Sequence, residues 1–273
     1  MVRVLVPLGT AMACRAGSIT RMEDAEIPLA GGNASEAVVR VGDTVRKPWS
    51  ESTPSVAEFL AHLRAQGIDV PAWRGRDDRG RQVLEHVPGD LAMHVRPLDA
   101  EALVRVGRMV RSIHDASVGF TSDTAAWDVL IPPPTSADLV CHNDLAPWNL
   151  VLGDRWVFID WDGAGPSTRL WDLAYSAQAF AGLDAAQPVA SAAERLRWFV
   201  DGYGATDDIR AALPMTMVHR ATAMWALLRD ANASGREPWA SMFDNGHGAH
   251  WWAASEYIAA HLSAWTATLT GDA

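Results

Sequence analysis

The segment from Cys141 to Asp162 carries acidic and amide side chains at short offsets within a run of apolar residues. A His-x-Asp triplet fills positions 142–144, Asn149 follows five residues after the Asp, and Asp160 ends the next apolar stretch. Polar groups held against a core cost free energy unless something binds them. The spacing therefore predicts a site that binds a ligand or does chemistry.

Oxygen donors of this kind suit magnesium and phosphate chemistry. Mg²⁺ prefers hard oxygen ligands and is usually held by one or two carboxylates together with substrate phosphates. Asn149 and Asp160 supply such a pair of ligands, which leaves Asp144 free to accept a proton from an attacking hydroxyl. Phosphoryl transfer needs these roles because its chemistry is mainly alignment and charge neutralisation.

The same residues also have an ordinary structural interpretation. Asn143, Asp144 and Asn149 are common turn formers. Asp160 and Asp162 are able to cap the next element. Taken singly, each side chain fits a turn or a cap better than a site, but the fixed offsets of the whole group favour the chemical interpretation.

Hydrophobic periodicity and turn residues predict the elements that must position this segment. Strands are predicted over 37–41, 44–47, 82–87, 150–152 and 156–159, and helices over 54–66, around 103–113, and over 171–181, 189–203, 214–231 and 248–269. The first two strands form a hairpin across Gly42-Asp43, and the last two form one across Gly153-Asp154. His114-Asp115 ends the second helix and is interpreted as a cap rather than a catalytic pair.

The order of these elements predicts an α+β fold with two lobes, which suits a chain of 273 residues. Residues 30–88 are expected to form a small lobe with an antiparallel sheet, and residues 89–273 a larger, mainly helical lobe. Residues 1–29 are expected to be a loosely ordered N-terminal extension.

Composition limits the partners of the chain. A net charge of −10 argues against non-specific binding to nucleic acid or to an anionic membrane surface, although a cationic small molecule is compatible with it. No apolar run reaches the ~18 residues of a membrane span. Two cysteines give no disulfide framework, which fits a cytoplasmic protein. We expect a monomer or homodimer.

Three motifs resemble those of the aminoglycoside phosphotransferase family, small-molecule kinases that share the protein-kinase-like fold. His142-Asn-Asp-Leu-Ala-Pro-Trp-Asn149 is similar to the catalytic loop of that family. Phe158-Ile-Asp-Trp-Asp162 is similar to its metal-binding segment, and Arg169-Leu-Trp-Asp-Leu-Ala174 to the short motif that follows.

The resemblance implies roles by position. Asp144 looks like the catalytic base, and Asn149 and Asp160 look like the Mg²⁺ ligands. His142 is implied to be a structural member of the catalytic loop, and Asp172 to brace that loop. The small sheet lobe is implied to bind the nucleotide, and the mainly helical lobe to be the catalytic and acceptor-binding lobe. ATP or GTP is the implied phosphate donor.

The first lobe is less similar to the family. Residues 31–35, which include Gly32 and Ser35, stand where the family covers the nucleotide phosphates, and a plain turn is the other interpretation. Arg46 and Lys47 both qualify as the cation for the phosphates, but strand alternation turns only one of them inward. Lys47 is slightly favoured as a compact point charge, and the choice stays open.

Two further assignments in this lobe come from the resemblance. Glu58 on the predicted helix is the acid that would pair with the cation, and a solvated surface side chain is the alternative. Glu85 to Val87 would form the hinge that offers backbone groups to adenine.

The resulting prediction is a Mg²⁺-dependent phosphotransferase that moves the γ-phosphate of ATP or GTP to a hydroxyl of a small molecule. The family suggests an antibiotic-like acceptor, such as an aminoglycoside, a macrolide or a nucleoside antibiotic. Two alternatives stay open. One is a housekeeping kinase for a sugar, a choline-like or an amino-acid acceptor, and the other is a nucleotide-binding immunity protein that sequesters a ligand without turnover.

Two features of the helical half bear on the acceptor. Several of the 13 tryptophans lie there, either as core packing or as an aromatic wall for a planar molecule. Its acidic residues, among them Asp201, Asp230 and Asp244, either bind a polycationic acceptor or are simply solvated.

Overall fold

A small sheet lobe precedes a larger helical lobe in the computed structural model, which describes residues 25–29, 38–95, 97–124 and 126–271. The strands of the first lobe are β1 (Ile27–Pro28), β2 (Val39–Val41), β3 (Thr44–Lys47), β4 (Trp73–Arg76) and β5 (Gln82–Glu85). They form one antiparallel sheet in the order β1-β2-β3-β5-β4. Helix α1 (Thr53–Ala65) connects β3 to β4.

The second lobe combines short strands with seven described helices. Its strands are β6 (Asp90–Leu91), β7 (Leu139–Cys141), β8 (Leu150–Leu152), β9 (Trp156–Phe158) and β10 (Gly165–Ser167). Its helices are α2 (Ala100–Ser117), α3 (Arg169–Ala181), α4 (Val189–Tyr203), α5 (Asp207–Ser234), α6 (Trp239–Met242), α7 (Gly248–Ala260) and α8 (Leu262–Thr270). Among the described residues, no helix combines the length and the apolar character that a membrane span requires.

The strands of the second lobe frame the segment that carries the chemistry. β6, β8 and β9 pair in that order as one antiparallel sheet, and β7 pairs with β10. The side chain of Thr168 caps α3 by accepting from the N–H of Trp171, which fixes where that helix begins. The polar loop between β7 and β8 is therefore enclosed by paired strands and the start of a helix.

Aromatic packing joins the two lobes next to this loop. Phe59 of α1 is fully buried, and its ring centroid lies 5.8 Å from that of Trp161, which follows β9. Trp161 in turn packs on His142, with ring centroids 4.4 Å apart. Because these rings are large and buried, they fix how the sheet lobe sits over the loop.

Two glycines allow α2 and α4 to cross closely. A Cβ built on Gly107 would lie 2.2 Å from the carbonyl oxygen of Phe199, and one on Gly202 would lie 2.2 Å from the carbonyl oxygen of Val104. No side chain fits at either position without moving a backbone. This crossing places the end of α2 beside the end of α4, behind the loop.

The structure confirms the predicted α+β architecture with a small antiparallel sheet lobe and a larger helical lobe. Both predicted hairpins are present, and the predicted helix over 189–203 matches α4. Several details differ. β1 lies within the predicted extension, and the helix predicted over 248–269 is divided at His261. The short strands β4, β6, β7 and β10 and the helix α6 were not predicted, and α5 begins seven residues before the predicted position 214. Residues 1–24 lie outside the described residues.

Gly107→Ala should lower the free energy of unfolding by about 1–3 kcal/mol, because the added methyl group overpacks the crossing of α2 and α4. Arg108→Ala, at the exposed neighbouring position, should change it by less than about 0.5 kcal/mol. Urea unfolding of both variants measures the difference. Equal unfolding midpoints would show that the crossing tolerates a side chain.

Candidate active site

The polar loop between β7 and β8 brings Asp144 and Asn149 into direct contact. The Asn149 amide nitrogen donates to the Asp144 carboxylate at 2.8 Å and to the Asp144 carbonyl at 3.0 Å. Both hydrogen atoms of the amide group are thereby used, so its oxygen Oδ1 faces away from Asp144. The loop presents one carboxylate and one amide oxygen side by side.

His142 ties this loop to the segment that carries Asp160. Its Nε2 donates to the carbonyl of Ile159 at 3.0 Å, and its Nδ1 accepts from the N–H of Asp144 at 3.3 Å. Burial lowers the pKa of His142, so the ring is neutral in this role. The Ile159 N–H also donates to the Asn149 carbonyl at 2.8 Å, which sets Asp160 beside the loop.

Lys47 reaches across from the sheet lobe and contacts two carboxylates. Its ammonium lies 2.5 Å from Asp160 Oδ1 and 2.5 Å from Asp162 Oδ2. We call this arrangement of Lys47, Asp160 and Asp162 the lysine bridge. Gln82, the cross-strand partner of Lys47, supports it by donating to Asp162 Oδ1 at 3.2 Å and to the Pro48 carbonyl at 3.1 Å.

The charges of the lysine bridge stabilise one another. Burial alone would lower the pKa of Lys47, but the carboxylates of Asp160 and Asp162 raise it above its ordinary value. Burial likewise opposes ionisation of Asp160, yet the Lys47 ammonium keeps its pKa below the ordinary value. Lys47 is buried, while 47% of the Asp160 side chain and 44% of the Asp162 side chain stay exposed, so both carboxylates remain open to a ligand.

Burial raises the pKa of Asp144 to about 6, and the negative charge of Asp160 acts in the same direction. Hydrogen bonds from Tyr175 and Trp148 and the charge of Arg220 oppose this rise. A carboxylate with such a pKa is a better proton acceptor than a solvated one, which is the property expected of a general base.

Asp172 braces the loop from behind. One carboxylate oxygen accepts from the Asn143 N–H at 2.8 Å, and the other accepts from His114 Nε2 at 2.9 Å. His114 is fully buried and bonds through Nδ1 to the Tyr203 hydroxyl at 2.9 Å. Cys141 lies in the same cluster, and burial raises the pKa of its thiol well above the ordinary value.

Two residues of the site have left-handed backbones. Asn143 has φ +67° and Asp160 has φ +62°. Asn and Asp tolerate this region better than other residues with a side chain, and each such position still costs about 1–3 kcal/mol. The hydrogen bonds around both residues therefore hold strained backbone in place.

Arg46 and Glu58 lie elsewhere than the family resemblance suggested. Arg46 contacts Asp77 at 3.5 Å and also bonds Thr44, on the face of β3 opposite to Lys47. Glu58 accepts from the Ser122 hydroxyl at 2.6 Å and from the Asp123 N–H at 3.2 Å, so it does not pair with either cation. The partners of Lys47 are aspartates of the other lobe, because α1 turns Glu58 toward the segment after α2.

The predicted nucleotide-binding residues are only partly described. The Glu85 carboxylate is engaged by Arg155 and by the N–H of Ala72, so it braces the end of the sheet. Val87 is buried between β5 and β6, and no described residue bonds its backbone groups. Gly32 and Ser35 lie outside the described residues.

Three acidic side chains of the helical half, those of Asp201, Asp230 and Asp244, have local partners. Asp201 pairs with Arg210 at 2.8 Å, and Asp230 pairs with Arg229 at 2.7 Å. Asp244 accepts from the Asn232 amide at 2.9 Å. These contacts give each of the three acids an ordinary structural role.

Four residues of the site escaped the sequence analysis: Gln82, His114, Tyr203 and Arg220. His114 was interpreted as a helix cap, but it is a buried link between Asp172 and Tyr203. Arg220 could have been recognised from the sequence as a candidate site residue, because it is a charged residue within an apolar stretch of a predicted helix. Nothing in the local sequence marks the others, because their partners are distant in the chain.

The catalytic-loop part of the site lies within a region that matches a known family. The model of the phosphotransferase enzyme family matches residues 122–209, which include the loop, the β8–β9 hairpin and Asp172. The chain is 32% identical over 197 residues to the trifolitoxin immunity protein of Rhizobium leguminosarum bv. trifolii. That alignment covers 66% of this chain and 74% of the relative.

Solved structures agree with the two-lobed architecture. A choline/ethanolamine kinase family protein from Mesorhizobium loti is similar with a TM-score of 0.56 at 17% identity, covering 90% of this chain and 92% of that chain. The amicoumacin kinase hAmiN, in complex with AMP-PNP and Ca²⁺, is similar with a TM-score of 0.61 at 12% identity, covering 86% and 88%. These likenesses establish the protein-kinase-like fold.

Asp172→Ala should lower the free energy of unfolding by about 2–5 kcal/mol, because two buried donors, the Asn143 N–H and the His114 ring, lose their acceptor. Asp201→Ala removes an exposed ion pair and should cost at most about 1 kcal/mol. Denaturant unfolding of the two variants compares these costs. Similar values would mean that Asp172 does not brace the loop.

Proposed function

The chain belongs to the phosphotransferase enzyme family, and on this premise we propose that it moves the γ-phosphate of ATP or GTP to a hydroxyl of a small antibiotic-like molecule. The proposal is supported by two carboxylates of the site, those of Asp144 and Asp160, which have different partners. Asp144 is held by an amide within its own loop, whereas Asp160 is held by the Lys47 ammonium. One carboxylate is thus suited to take a proton, and the other to bind a cation.

In this proposal Asp144 orients the acceptor hydroxyl and takes its proton, and Lys47 supplies positive charge for the phosphates. His142 and Asp172 hold the loop in the geometry that aims Asp144. Most of the rate enhancement in phosphoryl transfer comes from such alignment and from neutralised charge.

The residues present fit a divalent ion. Asp160, Asp162 and the Asn149 amide oxygen are hard donors of the kind that Mg²⁺ prefers, and the two carboxylates already accept a cation, the Lys47 ammonium. When bound, the ion would neutralise charge on the nucleotide phosphates. A protein of this fold is known with AMP-PNP and Ca²⁺, which supports a nucleotide with a divalent ion.

The nucleotide would lie between the lobes. Val87 offers backbone groups to the adenine, Lys47 faces the phosphates, and the segment with Gly32 and Ser35 is proposed to cover them. Arg46 is the less favoured cation, because its side chain is paired with Asp77. We place the activity in the cytoplasm, as a monomer or homodimer.

The names of the similar proteins support an antibiotic-related acceptor, since one is an immunity protein and another an amicoumacin kinase. Similarity to a choline/ethanolamine kinase family protein keeps a metabolite kinase as the second candidate. A binder that confers immunity without turnover is the third. A screen for acceptor-dependent release of nucleoside diphosphate, with antibiotics and metabolites as acceptors, separates these outcomes.

Lys47→Met should weaken nucleotide binding about 10- to 100-fold, because a charged hydrogen-bond donor to the phosphates is lost. Arg46 is the neighbour of Lys47 on the opposite face of β3, where it pairs with Asp77. Arg46→Met should therefore change the nucleotide Kd by less than about twofold. Calorimetric titration with nucleotide and Mg²⁺ gives both values. The reverse order would assign the phosphates to Arg46.

Asp144→Asn should lower turnover by about 10²–10⁴-fold with little loss of nucleotide affinity, because the variant retains the shape of the side chain but not its basicity. Asp154→Asn, in the exposed turn between β8 and β9, is the matched control and should keep wild-type turnover. Initial rates with the acceptor found in the screen provide the measurement. Unchanged turnover in Asp144→Asn would remove this residue from the mechanism.

A further inference from the structure

Arg220 on α5 is a buried cation that the proposed reaction does not yet use. Only 5% of the residue is exposed, and its Nη2 donates to the Asn143 carbonyl at 3.3 Å. Its guanidinium lies over the ring of Tyr175, 4.3 Å from the centroid, and 5.7 Å from the centroid of Trp171. The long helix α5 thereby touches the residue that immediately precedes Asp144.

The surroundings of Arg220 do not explain it as a stabilising ion pair. Its Nη1 has no hydrogen-bond partner among the described residues, and no described carboxylate forms an ion pair with the guanidinium within 4.0 Å. The charges of Asp144 and Asp172 act on it only from farther away. Burying a charge without a close partner costs several kcal/mol, so an apolar side chain of similar size would serve packing better. The cation therefore has another role at this position.

The geometry of Asn143 indicates what that role is. Its N–H belongs to the peptide unit before it, which Asp172 holds at 2.8 Å. Its carbonyl belongs to the peptide unit that joins it to Asp144, and this is the unit that Arg220 holds. Because each peptide unit is planar, the two hydrogen bonds together fix the left-handed turn at Asn143.

We propose that Arg220 is a positioning residue for the phosphotransferase site, which it serves by fixing the Asn143–Asp144 peptide plane and thereby the direction of the Asp144 carboxylate. This inference rests on the proposed function, because it takes Asp144 to be the base of a phosphotransferase. A lysine could replace Arg220 only in part. The planar guanidinium stacks on the ring of Tyr175 and at the same time donates a hydrogen bond to the Asn143 carbonyl, which an ammonium group cannot do equally well.

Arg220→Met and Arg220→Lys test this role, with Arg229→Met as the matched control. Arg229 lies on the same helix and also covers an aromatic ring, that of Trp225 at 4.7 Å, but it pairs with Asp230 and does not touch the loop. Amide hydrogen exchange of a peptide covering residues 141–149 reports on the loop without any need for turnover. Nucleotide-dependent kinetics then report on the reaction.

Arg220→Met should speed exchange in the 141–149 peptide about tenfold, the factor that corresponds to one lost hydrogen bond, and leave peptides of α8 unchanged. It should lower kcat about 10²-fold, because a displaced base is poorly aligned, while the nucleotide KM stays within about twofold. Arg220→Lys should change the exchange rate and kcat in the same directions by smaller factors. If the Met variant does not fold, the Lys variant provides the test. Arg229→Met should match the wild type.

Wild-type exchange of the loop in both Arg220 variants would overturn the inference. So would faster exchange across the whole helical lobe, or a rise in KM that accounts for the loss of kcat/KM, because either result describes a general structural role. Absence of phosphoryl transfer by the wild type would instead remove the proposed function, and the exchange data identify which of the two has failed.

Discussion

The Lys47 ammonium of the sheet lobe lies between the carboxylates of Asp160 and Asp162, and the geometry of the cleft depends on this contact. A buried lysine is tolerated only with opposite charge close to it, so the register of β3 and the position of the β8–β9 hairpin are tied to each other. Gln82 holds Asp162 from the neighbouring strand, and Trp161, between the two aspartates, packs on Phe59 of the sheet lobe. Charge and apolar packing thus hold the two lobes together at the same point.

Around this contact the backbone is strained, and hydrogen bonds hold the strain in place. The left-handed residue Asn143 is bonded at its N–H by Asp172, at its side chain by the Gly163 carbonyl, and at its carbonyl by Arg220. Such strain persists only where the surroundings over-determine it, and it clusters at functional sites. Three helices of the helical lobe contribute to this support, α2 through His114, α3 through Asp172 and α5 through Arg220.

Sequence patterns between residues close together in the chain predicted a large part of this structure. The features that they did not predict depend on contacts between residues far apart in the chain. The hairpins, most helices and the polar loop follow from periodicity and spacing, since each is decided by residues close together in the chain. Alternation alone could not choose between Arg46 and Lys47, because the inward face of β3 depends on where the other lobe packs. Glu58 does not pair with the cation, because α1 turns its side chain toward Ser122 and Asp123, in the segment after α2. His114 bonds to Asp172, 58 residues away in the sequence, and Arg220 bonds to Asn143, 77 residues away. No local pattern predicts contacts over such separations.

In the proposed site, Asn149 and Asp160 would share a divalent ion while Asp144 stays free of it. A crystal structure with Mg²⁺ and a non-hydrolysable ATP analogue tests this most directly. We expect a metal bound to the Asn149 amide oxygen and the Asp160 carboxylate, with Lys47 turned toward the phosphates and Asp144 without a metal contact. A nucleotide bound elsewhere, or a metal held by Asp144 in place of Asn149, would contradict it.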